Sequence, residues 1–339
     1  MPSRSFQDLL RSIARTIICA VLAITLPAAG ADTVDRAAVL RTLAAQDRIV
    51  AEIGWKLQTA GAPLCRDRGW ASGVVLQGLS QYGRSYRDEA VRLFGFGDRP
   101  IVFVVVPDSP GAVAGLRAGD LVLAVDGTAT SIVAQDGAVT IADSAAAADR
   151  LDDAMRDGTA TLTIERSGHR LTRTIHGQSA CRVRFEVRAG SDTNASADAN
   201  RVQISSDLVD PDRAEQDVVP VLAHELAHVI LRHPQTLARN FRGLLPGFGK
   251  GGAAIRASEI AADRLSLYLL DRAGYSADDA VAFWTTFLRA YDQGLLSDRT
   301  HPGWKTRVAA LQSELVRLKG LKASGRPVEP PADLLTPSR

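Results

Sequence analysis

Residues 221–233 read Val-Leu-Ala-His-Glu-Leu-Ala-His-Val-Ile-Leu-Arg-His and hold three of the chain's 6 histidines. Within them stands His-Glu-x-x-His, made of His224, Glu225 and His228. Residues four apart share one face of an α-helix, so two imidazoles at this spacing can grip a single metal ion while the carboxylate of Glu225 leans toward the same site. A Zn²⁺ held in this way polarises a carbonyl and activates water, which makes the stretch a candidate for metal-assisted hydrolysis. Its Val, Leu, Ala and Ile flanks bury the helix and keep such a site dry.

Two histidines do not complete a catalytic zinc site, which needs a third protein ligand and an open position for water. A histidine ligand just beyond the motif would require a glycine at position 231 and a histidine at 234, where this chain has Leu231 and Pro234. His233 is therefore read as a helix-end residue interacting with the helix dipole. A better third ligand lies in Ser258-Glu-Ile-Ala-Ala-Asp-Arg264. Glu259 and Asp263 are one helical turn apart, which suits one carboxylate ligand and a second carboxylate that orients a ligand imidazole. Their neighbours Ile260, Ala261, Ala262, Leu265, Leu267 and Leu269 favour burial over a solvated acidic face.

These residues need helices and strands to present them. The motif helix is predicted to start between Asp212 and Glu215 and to reach Arg232, with Pro220 as a kink or a late start. Three more helices are predicted over 258–272, 276–292 and 304–319, bounded by Gly274, the cap Ser276 and Gly320. Upstream, 183–188 and 201–205 alternate as strands do. Residues 33–60 place Val39, Leu40, Leu43, Ile49, Val50, Ile53 and Leu57 at helical spacing. The glycine-rich 243–252 lacks the phosphate-loop spacing and a Ser or Thr after Lys250, so it reads as a flexible loop near the cleft and not as a nucleotide site.

The 339 residues, 46% of them apolar, suffice for about two domains. Arg4, Arg11 and Arg15 precede an uncharged run from Thr16 to Leu26, then Pro27 and the small-residue site Ala29-Gly-Ala31. That order is the pattern of an export signal cleaved after Ala31, with an uncleaved N-terminal anchor as the alternative. Without that segment the 40 basic and 38 acidic residues fall to 37 of each, and a neutral chain with no basic run gives no reason to expect nucleic acid as a partner. Cys65 and Cys181 would remain. In an exported protein they can form a disulfide closing a long loop, a contribution of roughly 4–5 kcal/mol on the chain-entropy argument, or stay as two buried thiols.

Two resemblances are carried by these residues. Ser109-Pro-Gly-Ala-Val-Ala-Gly-Leu-Arg-Ala-Gly-Asp-Leu-Val-Leu-Ala-Val-Asp-Gly127, after the strand at 101–106, resembles PDZ domains of the bacterial protease-associated type. Such domains take a peptide as an added strand beside a carboxylate-binding loop, for which Phe94-Gly-Phe-Gly97 is the best local candidate, although it lies close to the next strand. The second is spread over His-Glu-Leu-Ala-His, Glu-Ile-Ala-Ala-Asp-Arg, Gly274-Tyr275 and Thr300-His-Pro302 with Arg307. Together with Asn194-Ala-Ser-Ala197 followed by Val202-Gln-Ile-Ser205, these motifs resemble the HtpX-like and CAAX-protease-like gluzincin peptidases.

The resemblances imply an α+β chain: a mainly helical zincin-like metalloprotease domain with a small edge sheet, plus an inserted β-rich PDZ-like domain. The expected division is a signal peptide at 1–31, an N-terminal helix at 32–70 packing on the protease domain, the PDZ-like domain at 71–178, the protease domain at 179–320 and a disordered tail at 321–339. They imply one zinc ion per chain on His224, His228 and Glu259, with Glu225 as general base and His301 as a second oxyanion donor. Asp263 and Arg307 would support the ligands, and Cys65 and Cys181 would pin both ends of the insertion. The expected activity is endopeptidase cleavage of protein or peptide substrates in the periplasm or outside the cell, with peripheral membrane association left open. Two other readings stand beside it: an export-compartment chaperone or adaptor with structural zinc, and a zinc hydrolase of non-peptide bonds.

Overall fold

The computed structural model describes residues 35–131, 138–190, 194–240, 249–290 and 302–335. The expected export signal lies outside them, as do His301 and residues 243–248 of the glycine-rich stretch. The chain is α+β, with most of its helices in one body and most of its strands in another. No helix among the described residues is long and apolar enough to cross a membrane.

Helix α1 (Arg36–Ala60) is the element on which both bodies are built. Val50, Ile53 and Leu57 enter the main core, Ala51 and Trp55 meet Val104 and Val106, and Leu40 joins Leu79, Phe96 and Ile101. The helix thus lies on the inserted module as well as on the helical body, where the periodicity of its apolar residues suggested one face only. Gly54 weakens the helix by ~1 kcal/mol relative to alanine. It allows a close approach in return: a Cβ there would stand 2.4 Å from the Phe185 ring.

The inserted module is a sheet of β2 (Val74–Gln77), β3 (Ile101–Val105), β4 (Leu121–Val125), β6 (Thr159–Arg166) and β7 (His169–His176), in the order β2-β3-β4-β6-β7, with the short β5 (Thr128–Ala129) against β4. Helices α2 (Arg84–Phe94), α3 (Pro110–Val113) and α4 (Ala142–Ala154) complete it. The sequence pattern did not anticipate α2. Phe94-Gly-Phe-Gly97, the suggested carboxylate loop, closes that helix: Gly95 is the left-handed cap at φ 71°, and Phe96 is buried against Tyr82, Phe94 and Phe103. The stretch that leads into edge strand β2 is instead Ala71–Gly73. Gly73 sits at φ +71°, and a Cβ there would meet Ser109 at 2.2 Å.

The neck of the insertion is the antiparallel pair β1 (Arg68–Ala71) and β8 (Gln178–Cys181), with a disulfide joining Cys65 to Cys181 at a Cα–Cα distance of 5.6 Å. Beyond it, β9 (Arg184–Arg188), β10 (Ala195–Ala197) and β11 (Arg201–Ser205) form a sheet in the order β10-β11-β9, β11 running parallel to β9 and antiparallel to β10. Arg184 on β9 reaches Asp149 and Asp152 of α4, which ties the two bodies together a second time.

The helical body contains α5 (Ala214–Ile230), α6 (His233–Asn240), α7 (Gly249–Arg272), α8 (Ala277–Ala290), α9 (Trp304–Ala323) and α10 (Ala332–Leu335). Pro220 is accommodated inside α5. Helix α7 begins at Gly249, well before the expected 258, because its glycines are drawn into the helix instead of the loop. Ser276 caps α8 by accepting from the Asp279 N–H at 3.1 Å. The tail also departs from expectation. Residues up to 335 are ordered against the body, with Leu334 buried and the Leu335 carbonyl accepting from Arg66 at 2.8 Å. Its Pro and Ser content suggested disorder, but Val328, Leu334 and Leu335 supply enough apolar contact to hold it.

Candidate metal centre

Helices α5 and α7 pack along each other and bring the separated motifs together. His224 and His228 project from one face of α5 and Glu259 from α7; their side chains are 5%, 12% and 12% exposed. The two Nε2 atoms are 3.1 Å apart. His224 Nε2 lies 3.5 Å from Glu259 Oε2, and His228 Nε2 lies 3.4 Å from Glu259 Oε1. Donors bound to tetrahedral zinc at about 2.0–2.1 Å stand about 3.3–3.4 Å from one another. The 3.1 Å spacing of the two nitrogens and the 3.5 and 3.4 Å contacts to the two different oxygens of Glu259 are close to that value, and one donor atom from each residue lies within 4.8 Å of the others, so the residues fit the ion. The two imidazoles and one carboxylate are a donor set that zinc accepts, with a fourth position remaining.

Asp263, one turn beyond Glu259, is fully buried and places Oδ1 3.0 Å from His224 Nδ1, close but off the line of its N–H. Its two oxygens accept from Arg307 Nη2 and Nε at 2.6 and 2.7 Å. Arg307 also stands 3.5 Å from Glu259 and 5.2 Å over the ring of Trp284, which is itself 5.3 Å from the His224 ring. One guanidinium from α9 thus serves both carboxylates of α7.

The charges follow from this burial. Desolvation alone would raise the Glu259 carboxyl, but the hydrogen bond to His224 and the charges of His224, His228 and Arg307 hold it well below the ordinary range. Burial works against the His224 imidazolium, yet Asp263 and Glu259 bring it up to about 9. Without a cation, the site collects a proton on His224 to balance its carboxylates. His228 goes the other way, held far down by burial and by the charge of His224. Glu225 faces the same space and is pushed up to about 7, mainly by desolvation and further by Glu259, against the pull of His224.

The cleft over the site has a volume of about 290 Å³. Its walls include Glu225, His233, Pro234 and Leu237 and, on the other side, Ala195 and Ala197 of edge strand β10. Of the residues singled out in the sequence, His224, Glu225, His228, Glu259, Asp263 and Arg307 converge here, and His301 lies outside the described residues. His233 is not simply a helix-end cation. Its Nδ1 is 3.1 Å from Nδ1 of His228, and desolvation lowers its pKa to about 4. Sequence reasoning also missed Trp284. Its place in the apolar stripe of α8 marked it as core, and nothing in that stripe told it from Phe283 or Phe287.

A His-Glu-x-x-His helix joined by a glutamate from a later helix defines the class of zinc-dependent hydrolases with a two-histidine, one-glutamate site. Within that class, residues 251–315 match the model of Peptidase family M48, and residues 101–166 match that of the PDZ domain. The matched peptidase segment includes Glu259, Asp263 and Arg307, and the His-Glu-x-x-His helix precedes it. A segment that matches the PDZ domain is thus followed by one that matches a metallopeptidase family, in agreement with both sequence resemblances. No curated protein matches the chain.

Proposed function

We propose that the chain is an exported zinc metalloendopeptidase acting on protein substrates, with His224, His228 and Glu259 as ligands and Glu225 as general base. The observation that carries this reading is the convergence of His224, His228 and Glu259, one donor atom from each within 4.8 Å of the others, with Glu225 lining the same cleft. Zinc bound there would supply a Lewis acid for the scissile carbonyl and lower the pKa of water toward 7. Glu225 takes the proton of the attacking water and passes it to the leaving amine, a role that needs a base titrating near the working pH. Arg307 keeps Glu259 ionised, and Asp263 orients His224. His301 is proposed as a second oxyanion donor on resemblance alone.

Strand β10, an edge strand among the described residues, offers that edge to an extended substrate through backbone pairing, since Ala195 and Ala197 line the cleft while the strand's other side pairs with β11. In the PDZ domain, β2 is the corresponding edge for a peptide chain end. Export is supported by the order of charge, apolar run and small residues in the first 31 positions. The test is metal analysis and digestion of an unfolded casein-type substrate by the native protein and by Glu225→Gln. The variant should bind zinc normally and lose cleavage by about 10²–10⁴-fold. Cleavage at the native rate by Glu225→Gln would refute the general-base role. Zinc-independent peptide binding with no cleavage by the native protein would favour an adaptor.

A further inference from the structure

A histidine that binds a metal through Nε2 keeps its proton on Nδ1, and that N–H needs an acceptor that also sets the plane of the ring. On that side of His224 stands Asp263, its Oδ1 3.0 Å from Nδ1 though off the line of the N–H. His228 has His233: the two Nδ1 atoms are 3.1 Å apart, and the rings meet at 75° with centroids separated by 4.9 Å. Two such nitrogens at this distance share one proton, so one ring donates and the other accepts. With His228 as donor, His233 is a neutral imidazole carrying its own proton on Nε2. We propose that His233 is a positioning residue for the metal centre: its bare Nδ1 accepts the His228 N–H, fixes the tautomer that leaves His228 Nε2 free for the ion, and holds that ring in place.

The backbone is shaped to deliver this contact. Had α5 simply continued, residue 233 would lie about 140° around the helix from residue 228. Instead α5 ends at Ile230, and Arg232 adopts φ +57°. That left-handed conformation is strained for a non-glycine residue and must be held by its surroundings. The Arg232 N–H donates to the Val229 carbonyl at 3.0 Å, and Arg232 Nη2 donates to both Asp67 oxygens, beside the neck of the insertion, at 2.6 Å. The Asp67 carbonyl accepts from the Arg182 N–H at 3.1 Å, beside the Cys65–Cys181 bridge. After the reversal α6 restarts at once, Thr236 N–H donating to the Arg232 carbonyl at 3.0 Å. The turn that swings His233 back over His228 is thus anchored where the PDZ module joins the body.

The inference rests on the metal-binding reading above, and its test separates the two. Zn²⁺ affinity is measured by competition with a chromophoric chelator, and the visible spectrum of the Co²⁺-substituted protein is recorded, for wild type, His233→Leu and His233→Gln. Melting of the metal-free forms checks folding. Leucine fills the space without an acceptor and should weaken zinc binding about 10–100-fold and shift the cobalt bands. Glutamine, whose amide oxygen can accept, should recover most of both. Imidazole nitrogen shifts of the zinc-loaded wild type need no substitution: a neutral His233 protonated on Nε2 supports the proposal, and one protonated on Nδ1 overturns it. Zinc affinity of His233→Leu within twofold of wild type, with an unchanged cobalt spectrum, would also overturn it while leaving the metalloprotease reading intact. A wild-type protein that binds no zinc sinks both.

Discussion

Replacing Arg307 by leucine isolates what one buried cation contributes. Asp263 is fully buried, and Arg307, 5% exposed, gives it two charge-assisted bonds at 2.6 and 2.7 Å. Removing one partner of such a pair leaves an uncompensated buried charge, which costs about 3–5 kcal/mol, whereas removing both and filling the space with apolar atoms is near neutral. In the metal-free protein the single variant should therefore lose about 3–5 kcal/mol. At about 2–4 °C per kcal/mol for a body of this size, its melting transition should fall by roughly 6–20 °C. Zinc adds positive charge on the other side of His224, so saturating metal should make the loss smaller. Calorimetry of the single variant and of Arg307→Leu with Asp263→Leu, each with chelator and with excess zinc, reads all of these terms. A single variant within 1 kcal/mol of wild type, or a double variant less stable than the single, would refute the account of the site as a charge-balanced interior.

Three further outcomes follow from the same interior. Glu225 works as a base only when ionised, so activity is present above its pKa and lost as pH falls through it. Since a cation lowers that value from about 7, kcat/KM should fall tenfold per pH unit somewhere between about pH 5 and 7, and a profile flat from pH 7 to 5 would contradict its role. Asp47 accepts from Gln77 at 3.0 Å at the seam between α1 and the inserted module, and burial raises its pKa from 3.8 to about 7. A raised folded-state value means that its contribution is full below about pH 4 and is lost as pH rises through about 7. Asp47→Asn should accordingly stabilise the chain at pH 8 by about 1–2 kcal/mol, after allowing for its partly exposed edge, and a denaturation series at pH 5 and 8 showing no difference would count against this. The Cys65–Cys181 bridge closes a sequence separation of 116 residues, so replacing both cysteines by alanine should cost about 4–5 kcal/mol in denaturant unfolding. A loss under 1 kcal/mol would mean that the neck constrains the unfolded chain little.

The residues that share a helical face were the legible part. His224, His228, Glu259 and Asp263 could be placed because α5 and α7 are regular over those turns, so spacing four translates directly into adjacency. Arg307 was less accessible, since nothing local says that α9 crosses α7; its motif resemblance carried it. Strand β11 follows its alternation closely. Glycine and proline misled in three places, and in two of them tertiary contact overrode local preference, while Gly95 took the left-handed cap that glycine itself favours. The glycines at 249–252 joined α7, Gly95 capped a helix instead of opening a peptide loop, and the proline-rich tail was held by Leu334 and Leu335.

His233 shows where pattern reading stops. The sequence reading put His233 at a helix end facing the dipole, and spacing five on a straight helix would likewise point it away from His228. The left-handed turn at Arg232 undoes that geometry, and Arg232 pairs with Asp67, 165 residues away in sequence, so no window around the motif contains both partners. Asp67 directly precedes β1, which puts the turn beside the neck of the insertion.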